Sequence, residues 1–150
     1  MFDIKTWTLL WKAVKRNDFD LIEGLLKNGM DVNAENLSRW TPLHWACYYA
    51  RPDIVCLLLD HGANVNAQND IGWAPLHYAC SESCHGPSVA CLLLDHGADA
   101  TLINKEGYMP LDLAAALPVW HCGRDDLLDL FRERLPELVL EKYCAPASGP

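Results

Sequence analysis

The chain has 150 residues, enough for one domain that buries about two thirds of its unfolded surface without a disulfide framework. Although 51% of the residues are hydrophobic, no apolar run approaches the roughly 20 residues needed to cross a bilayer, so membrane insertion is not expected. A formal net charge of -8 and a pI near 5.0 argue against an unspecific grip on nucleic-acid phosphates, which dense Lys and Arg drive.

The opening, "MFDIKTWTLLWKAVKR", lacks the charged, then apolar, then small order of a secretory signal. The expected setting is the cytoplasm, with the nucleus also open. The first element, "WTLLWKAV" at Trp7, carries Lys12 and leads to Lys15 and Arg16, as suits an end unit with a partly solvated face. The line returns after 33 residues as "WTPLHWAC" at Trp40. There Thr41 can cap a helix whose first position is Pro42, where a missing N–H costs nothing. Leu43, Ala46 and Cys47 give the i, i+3, i+4 stripe of a short inner helix. Pro52 opens a second helix with Ile54, Val55, Leu57 and Leu58 inward, and Gly62 ends it in the left-handed conformation. The segment "ANVNAQNDIGW" then turns toward the next unit.

After another 33 residues "WAPLHYAC" begins at Trp73, with Ala74 where Thr41 stood. That exchange costs about 1 kcal/mol unless something replaces the cap. "SESCHGPSV" holds two extra residues, and "YMPLDLAA" follows at Tyr108, a shift of 35. An insertion of about five residues in "ALPVWHCGR" precedes a polar last helix, "DDLLDLFRERL", with Leu127, Leu128, Leu130 and Phe131 on one side. The second halves repeat as well: "LLKNGMDVNA" at Leu25, "LLLDHGANVNA" at Leu57 and "LLLDHGADATL" at Leu92. Four copies of one unit are present, and helices this short hold their shape only by stacking.

A period of 33 with the line T-P-L-H-x-A resembles the ankyrin repeat, over about residues 3 to 135. The resemblance implies an all-α solenoid of stacked helix-turn-helix units with short hairpin-like turns. Its repeats would cover about 3–35, 36–68, 69–103 and 104–135, within a domain of residues 1–138. Residues 139–150 would be a tail, disordered from Ala145 to Pro150.

Aligned on the Thr-Pro position, the preceding residues are Trp7, Trp40, Trp73 and Tyr108. In ankyrin folds this place lies near the turn tip on the concave side where partners bind. The resemblance therefore implies a surface of Lys5, Trp7, Lys15 and Arg16, then Leu37, Ser38, Trp40, Tyr48 and Tyr49. Asp70, Ile71, Trp73, Ser81 and Glu82 would follow from the third repeat, and Lys105, Glu106 and Tyr108 from the fourth. Units about 10 Å apart would make the aromatics a ladder, and exposed Trp and Tyr are enriched at hot spots. The alternative is that the rings pack on one another and stiffen the stack. Trp45 and Tyr78 face neighbouring helices and are expected in the core or partly so, whereas Tyr48 and Tyr49 end their helix and are expected to be exposed.

Seven cysteines and six histidines raise metal and redox chemistry. Register places Cys47 with Cys80, and Cys56 with Cys91, one repeat apart and beyond the reach of a disulfide. The first pair reads as small buried thiols and the second as partly exposed. His44 and His77 belong to the T-P-L-H line, where the resemblance implies hydrogen bonds from one turn to the next; His61 and His96 precede the turn glycine. A remote alternative is zinc or nucleophilic chemistry in the third-repeat insertion, at Cys80, Cys84, His85 and Cys91. No metal or other cofactor is expected, nor is catalysis, because the sequence has no G-x-S-x-G, Walker, H-E-x-x-H or G-x-G-x-x-G motif and the resemblance implies an open groove rather than a pocket.

The function implied is a protein–protein interaction module, an adaptor, scaffold or inhibitor, acting as a monomer until it meets a partner protein. Two alternatives stay open. One is the substrate-recognition part of a ubiquitin-ligase adaptor. The other is a substrate of an asparaginyl hydroxylase, through Asn33 and Asn66, whose main work would still be bonding the turn backbone.

Overall fold

The computed structural model describes residues 4–81 and 86–143. Eight helices pair in sequence: α1 (Ile4–Arg16) with α2 (Phe19–Lys27), α3 (Pro42–Tyr48) with α4 (Pro52–Asp60), α5 (Pro75–Ala79) with α6 (Gly86–Asp95), and α7 (Pro110–Ala116) with α8 (Arg124–Arg134). A further helix, α9 (Pro136–Tyr143), packs on α8. No strand occurs among the described residues. The first helices of the pairs touch one another in order, α1 to α3 to α5 to α7, and the second helices do the same from α2 to α8. The result is two parallel rows of helices, the all-α solenoid that the sequence implies.

The repeating apolar positions become the core. Leu10, Leu43, Leu76 and Leu111 occupy one equivalent place and are buried, as are Ala13, Ala46, Ala79 and Ala114. Small alanines let the inner helices approach closely while the leucines fill the space between the two rows. In α4, Ile54, Val55, Leu57 and Leu58 are buried as expected, and Leu59 joins them. Leu127 and Phe131 close the core at the far end.

The caps follow from the sequence with one substitution of means. Thr41 Oγ1 accepts from the His44 N–H at 3.4 Å, capping α3. Ala74 has no side-chain oxygen to offer, but the His77 N–H reaches the Ala74 carbonyl at 3.0 Å instead, so the donor is satisfied without the side chain. Gly29, Gly62 and Gly97 end the outer helices at φ 84°, 83° and 82°, where a side chain would meet the carbonyl. Each unit is then joined to the next by a loop with exposed residues at its tip.

Candidate functional site

The loops are built on a repeated asparagine. Asn36 Oδ1 accepts from the Ser38 and Trp40 N–H groups, both at 2.9 Å. Asn69 serves Ile71 and Trp73 in the same way, and Asn104 serves Glu106 and Tyr108. This side chain closes a two-residue tip and delivers an aromatic residue to the start of the inner helix. Neighbouring tips are stitched by backbone: the Asp70 N–H donates to Ser38 and the Lys105 N–H to Ile71, each at 3.1 Å. The tips leave Leu37, Ser38, Asp70, Ile71, Lys105 and Glu106 exposed, Leu37 completely.

His44 fixes the next unit's aromatic in place. Its Nδ1 accepts from the Thr41 N–H at 3.0 Å, so the proton sits on Nε2, which donates to the Trp73 carbonyl at 2.9 Å. His77 repeats the arrangement, accepting from Ala74 and donating to the Tyr108 carbonyl at 3.1 Å. Burial pulls the His44 pKa down to about 4 against the opposing help of these bonds, and burial lowers that of His77 too. Both imidazoles are neutral structural donors, which accords with the resemblance. In the fourth unit Asp112 takes the equivalent place and accepts from Met109 at 2.8 Å.

The aromatic residues do not stand as separate rungs. Trp40 lies between Trp45 and Tyr78, with ring centroids 4.3 and 4.6 Å away, and Trp73 lies 4.8 Å from the other side of Tyr78. Trp7 stacks on Trp11 at 6.3 Å, and Trp11 reaches Trp45 at 5.6 Å. The row of Trp7, Trp40 and Trp73 therefore interleaves with Trp11, Trp45 and Tyr78 into one continuous face from α1 to α5, in stacked, tilted and edge contacts that suit aromatic quadrupoles. Trp7, Trp40 and Trp73 are half-buried by this packing, while Tyr48 and Tyr108 remain 53% and 50% exposed. The rings thus brace one another, and Trp7, Trp40 and Trp73 keep part of their surface open.

Tyr78 is buried and its hydroxyl accepts from Asn69 Nδ2 at 2.8 Å. Burial raises its pKa to about 12, and the Asn69 bond only partly opposes this. Trp45 is half-buried, so both fall where expected. Tyr49 does not: it is half-buried rather than exposed, because its ring stacks on Trp45 at 5.9 Å and 20°. Glu82 lies outside the described residues. Of the other residues expected on this face, Lys5, Lys15, Arg16, Asp70 and Ile71 are exposed and Ser81 is half-buried.

Sequence reasoning missed two features. Trp11 stands in the histidine position of the first unit, yet it bridges the two rows of rings; its spacing from Trp7, one helical turn, was the available signal. Trp120 and Val119, in the insertion before α8, are the most exposed large hydrophobic residues after Leu37, and the repeat alignment gives that loop no register.

The remaining polar residues are engaged structurally. Asn33 Nδ2 donates to the Gly62 carbonyl at 3.2 Å while its Oδ1 accepts from the Asn64 N–H at 2.7 Å. Asn66 makes the equivalent pair with Gly97 and Asp99. Cys47 and Cys80 are fully buried and burial pushes both thiols up, while Cys56 and Cys91 are partly exposed. Cys80 is thereby a core residue rather than an accessible ligand or nucleophile; Cys84 and His85 lie outside the described residues. Cys122 is disulfide-bonded, so it offers no thiolate beside His121. No helix among the described residues is long and apolar enough to cross a membrane.

Comparison with known proteins gives two matches. The family model for ankyrin repeats in three copies matches residues 2–69, and the model for a single ankyrin repeat matches residues 71–105. The helices α7 and α8 of the last unit lie beyond both matches and continue the stack by their contacts. No curated protein matches the chain.

Proposed function

The chain belongs to the ankyrin-repeat family, whose members are generally protein–protein interaction modules, and we propose that it acts as an adaptor, scaffold or inhibitor that grips one partner protein with its inner-helix face. The observation that carries this reading is the continuous run of rings from Trp7 to Trp73, rimmed by Leu37, Tyr48, Ile71 and Tyr108, all exposed. Apolar residues that are not needed to fill the core seldom cluster on a surface without a contact to make. The half-buried rings would act as a rigid floor, losing little side-chain entropy on binding, and the exposed rim would supply new buried area. No step here is chemical. The contribution is shape, apolar area and the charges at the tips.

Affinity capture from lysate with mass spectrometry tests this, using wild type, a Tyr48→Ala/Ile71→Ala variant and a Trp120→Ala variant, each with folding checked by circular dichroism. A protein enriched by wild type and Trp120→Ala but lost with Tyr48→Ala/Ile71→Ala supports the assignment. Equal capture by all three refutes it. Loss with Trp120→Ala alone would move the contact to the loop before α8.

A further inference from the structure

Helix α1 has an electrostatic character opposite to that of the whole chain. The α1 sequence contains no Asp or Glu, although the protein carries a net charge of -8. Its Lys12, Lys15 and Arg16 are exposed. Among the described residues none of these three forms an ion pair, whereas Lys27, Arg39, Arg124, Arg132 and Arg134 each hold a carboxylate. With Trp11, the three cations line an open cleft of about 430 Å³. The Lys15 ammonium stands 5.6 Å from the centre of the Trp11 ring, and the Arg51 guanidinium donates to the Lys15 carbonyl at 3.4 Å. Trp11 Nε1 and Arg51 Nε are buried donors with no acceptor, a state that proteins seldom leave uncorrected. The unmet groups that line this cleft or lie beside it are therefore donors or cations.

The cleft is also continuous with the aromatic face. Trp11 packs on Trp45, which in turn packs on Trp40, Tyr48 and Tyr49. The opposite end has mixed sign, with Asp70 and Glu106 exposed at the tips beside Lys105. A ligand with one acidic end and one apolar anchor would thus find its register and direction already set.

We propose that this cleft receives an acidic segment of the partner protein, at least two Asp or Glu carboxylates beside an aromatic or aliphatic anchor. The carboxylates lie on Lys12, Lys15 and Arg16, with the planar guanidinium of Arg16 suited to two parallel bonds, and the anchor lies on the exposed edge of Tyr48. This deepens the proposed function and rests on it. An extended polyanion fits the surface less well than a short acidic segment, because the rest of the chain is acidic and repels it.

A random library of twelve-residue peptides displayed on phage would be selected against wild type, and the best peptides synthesised for titration. The expected outcome is enrichment of peptides with two or more carboxylates flanking an apolar residue. Their affinity should fall at least tenfold for Lys15→Glu/Arg16→Glu, severalfold for the milder Lys15→Gln/Arg16→Gln, and on raising salt, since exposed charges are screened. Circular dichroism confirms that the variants fold. Neutral apolar peptides that ignore both charge variants but are lost with Tyr48→Ala would overturn the acidic assignment and leave the proposed function standing. No enrichment at all would overturn the acidic-segment assignment, while the proposed function stands or falls with the capture experiment. Charge-dependent binding of inorganic phosphate or of phosphatidylserine vesicles, with no acidic peptides selected, would overturn the assignment to a protein segment.

Discussion

Acid should loosen this stack well before its carboxylates titrate, because two histidines are buried as neutral donors. His44 has its pKa pulled from 6.5 to about 4, chiefly by burial. In the unfolded chain it takes up a proton near pH 6.5; in the folded chain it does not. The stabilisation is fully present above that value and is lost as pH falls toward 4. At pH 5, about 1.5 units below the unfolded pKa, the loss from His44 is about 2 kcal/mol, at about 1.4 kcal/mol per unit. His77 shifts in the same direction and adds to it. Asp99, whose pKa is lowered by its bonds to Thr101, contributes only at lower pH. Urea denaturation at pH 7.5 and pH 5 reads the difference directly. His44→Gln should be less stable at pH 7.5 by about 1 to 3 kcal/mol, having left Thr41 N–H without its acceptor, and should lose about 2 kcal/mol less on acidification. An unchanged stability between the two pH values, or a His44 ring resonance that titrates near 6.5, would refute the reasoning.

Other substitutions test other parts of the structure. Ala50 ends α3 with φ 49°, and Ala50→Gly should raise stability by about 0.5 to 1 kcal/mol in thermal or urea unfolding, the left-handed strain exceeding the entropy that glycine adds. A Cβ at Gly86 would stand 2.1 Å from the Ala79 carbonyl oxygen, so Gly86→Ala should cost at least about 2 kcal/mol by the same measurement. Asn104 Nδ2 is buried without an acceptor because Leu113 stands where Tyr78 serves Asn69. Leu113→Tyr should restore that bond, and a rise in urea midpoint of about 0.5 to 1 kcal/mol would show it. Trp40→Ala should destabilise by about 2 to 3 kcal/mol, since Trp40 is wedged between Trp45 and Tyr78, while Tyr48→Ala should change stability by under about 1 kcal/mol.

The stack was legible in the sequence because its determinants are local and repeated. Leu43, Ala46 and Cys47 lie on one helical face wherever that helix sits, and their equivalents recur in register. The position of each ring was legible too, but not its contacts. Whether Tyr49 points to solvent depends on the size of Trp45 beside it, and whether Trp40 is a free rung depends on Tyr78 one unit away. Such facts arise between units, where one sequence line cannot see the next. The orphaned Asn104 is of the same kind: the asparagine repeats faithfully, its partner does not. Charge told a similar story, for the net value of -8 conceals a helix with no acidic residue.

The cross-unit bonds made by the repeated histidines and asparagines all end on backbone, whereas Arg134 reaches the Asp95 side chain at the far end. His44 and His77 donate to the carbonyls of Trp73 and Tyr108, not to their rings, and Asn33 and Asn66 hold glycine carbonyls and neighbouring N–H groups. A carbonyl is the same acceptor whatever residue bears it. The joints between units are therefore blind to the identity of the side chains displayed above them. Exposed residues such as Leu37, Ile71, Glu106 and Tyr108 can be exchanged for others without unfastening a joint, so recognition can drift toward a new target while the frame that carries it stays intact.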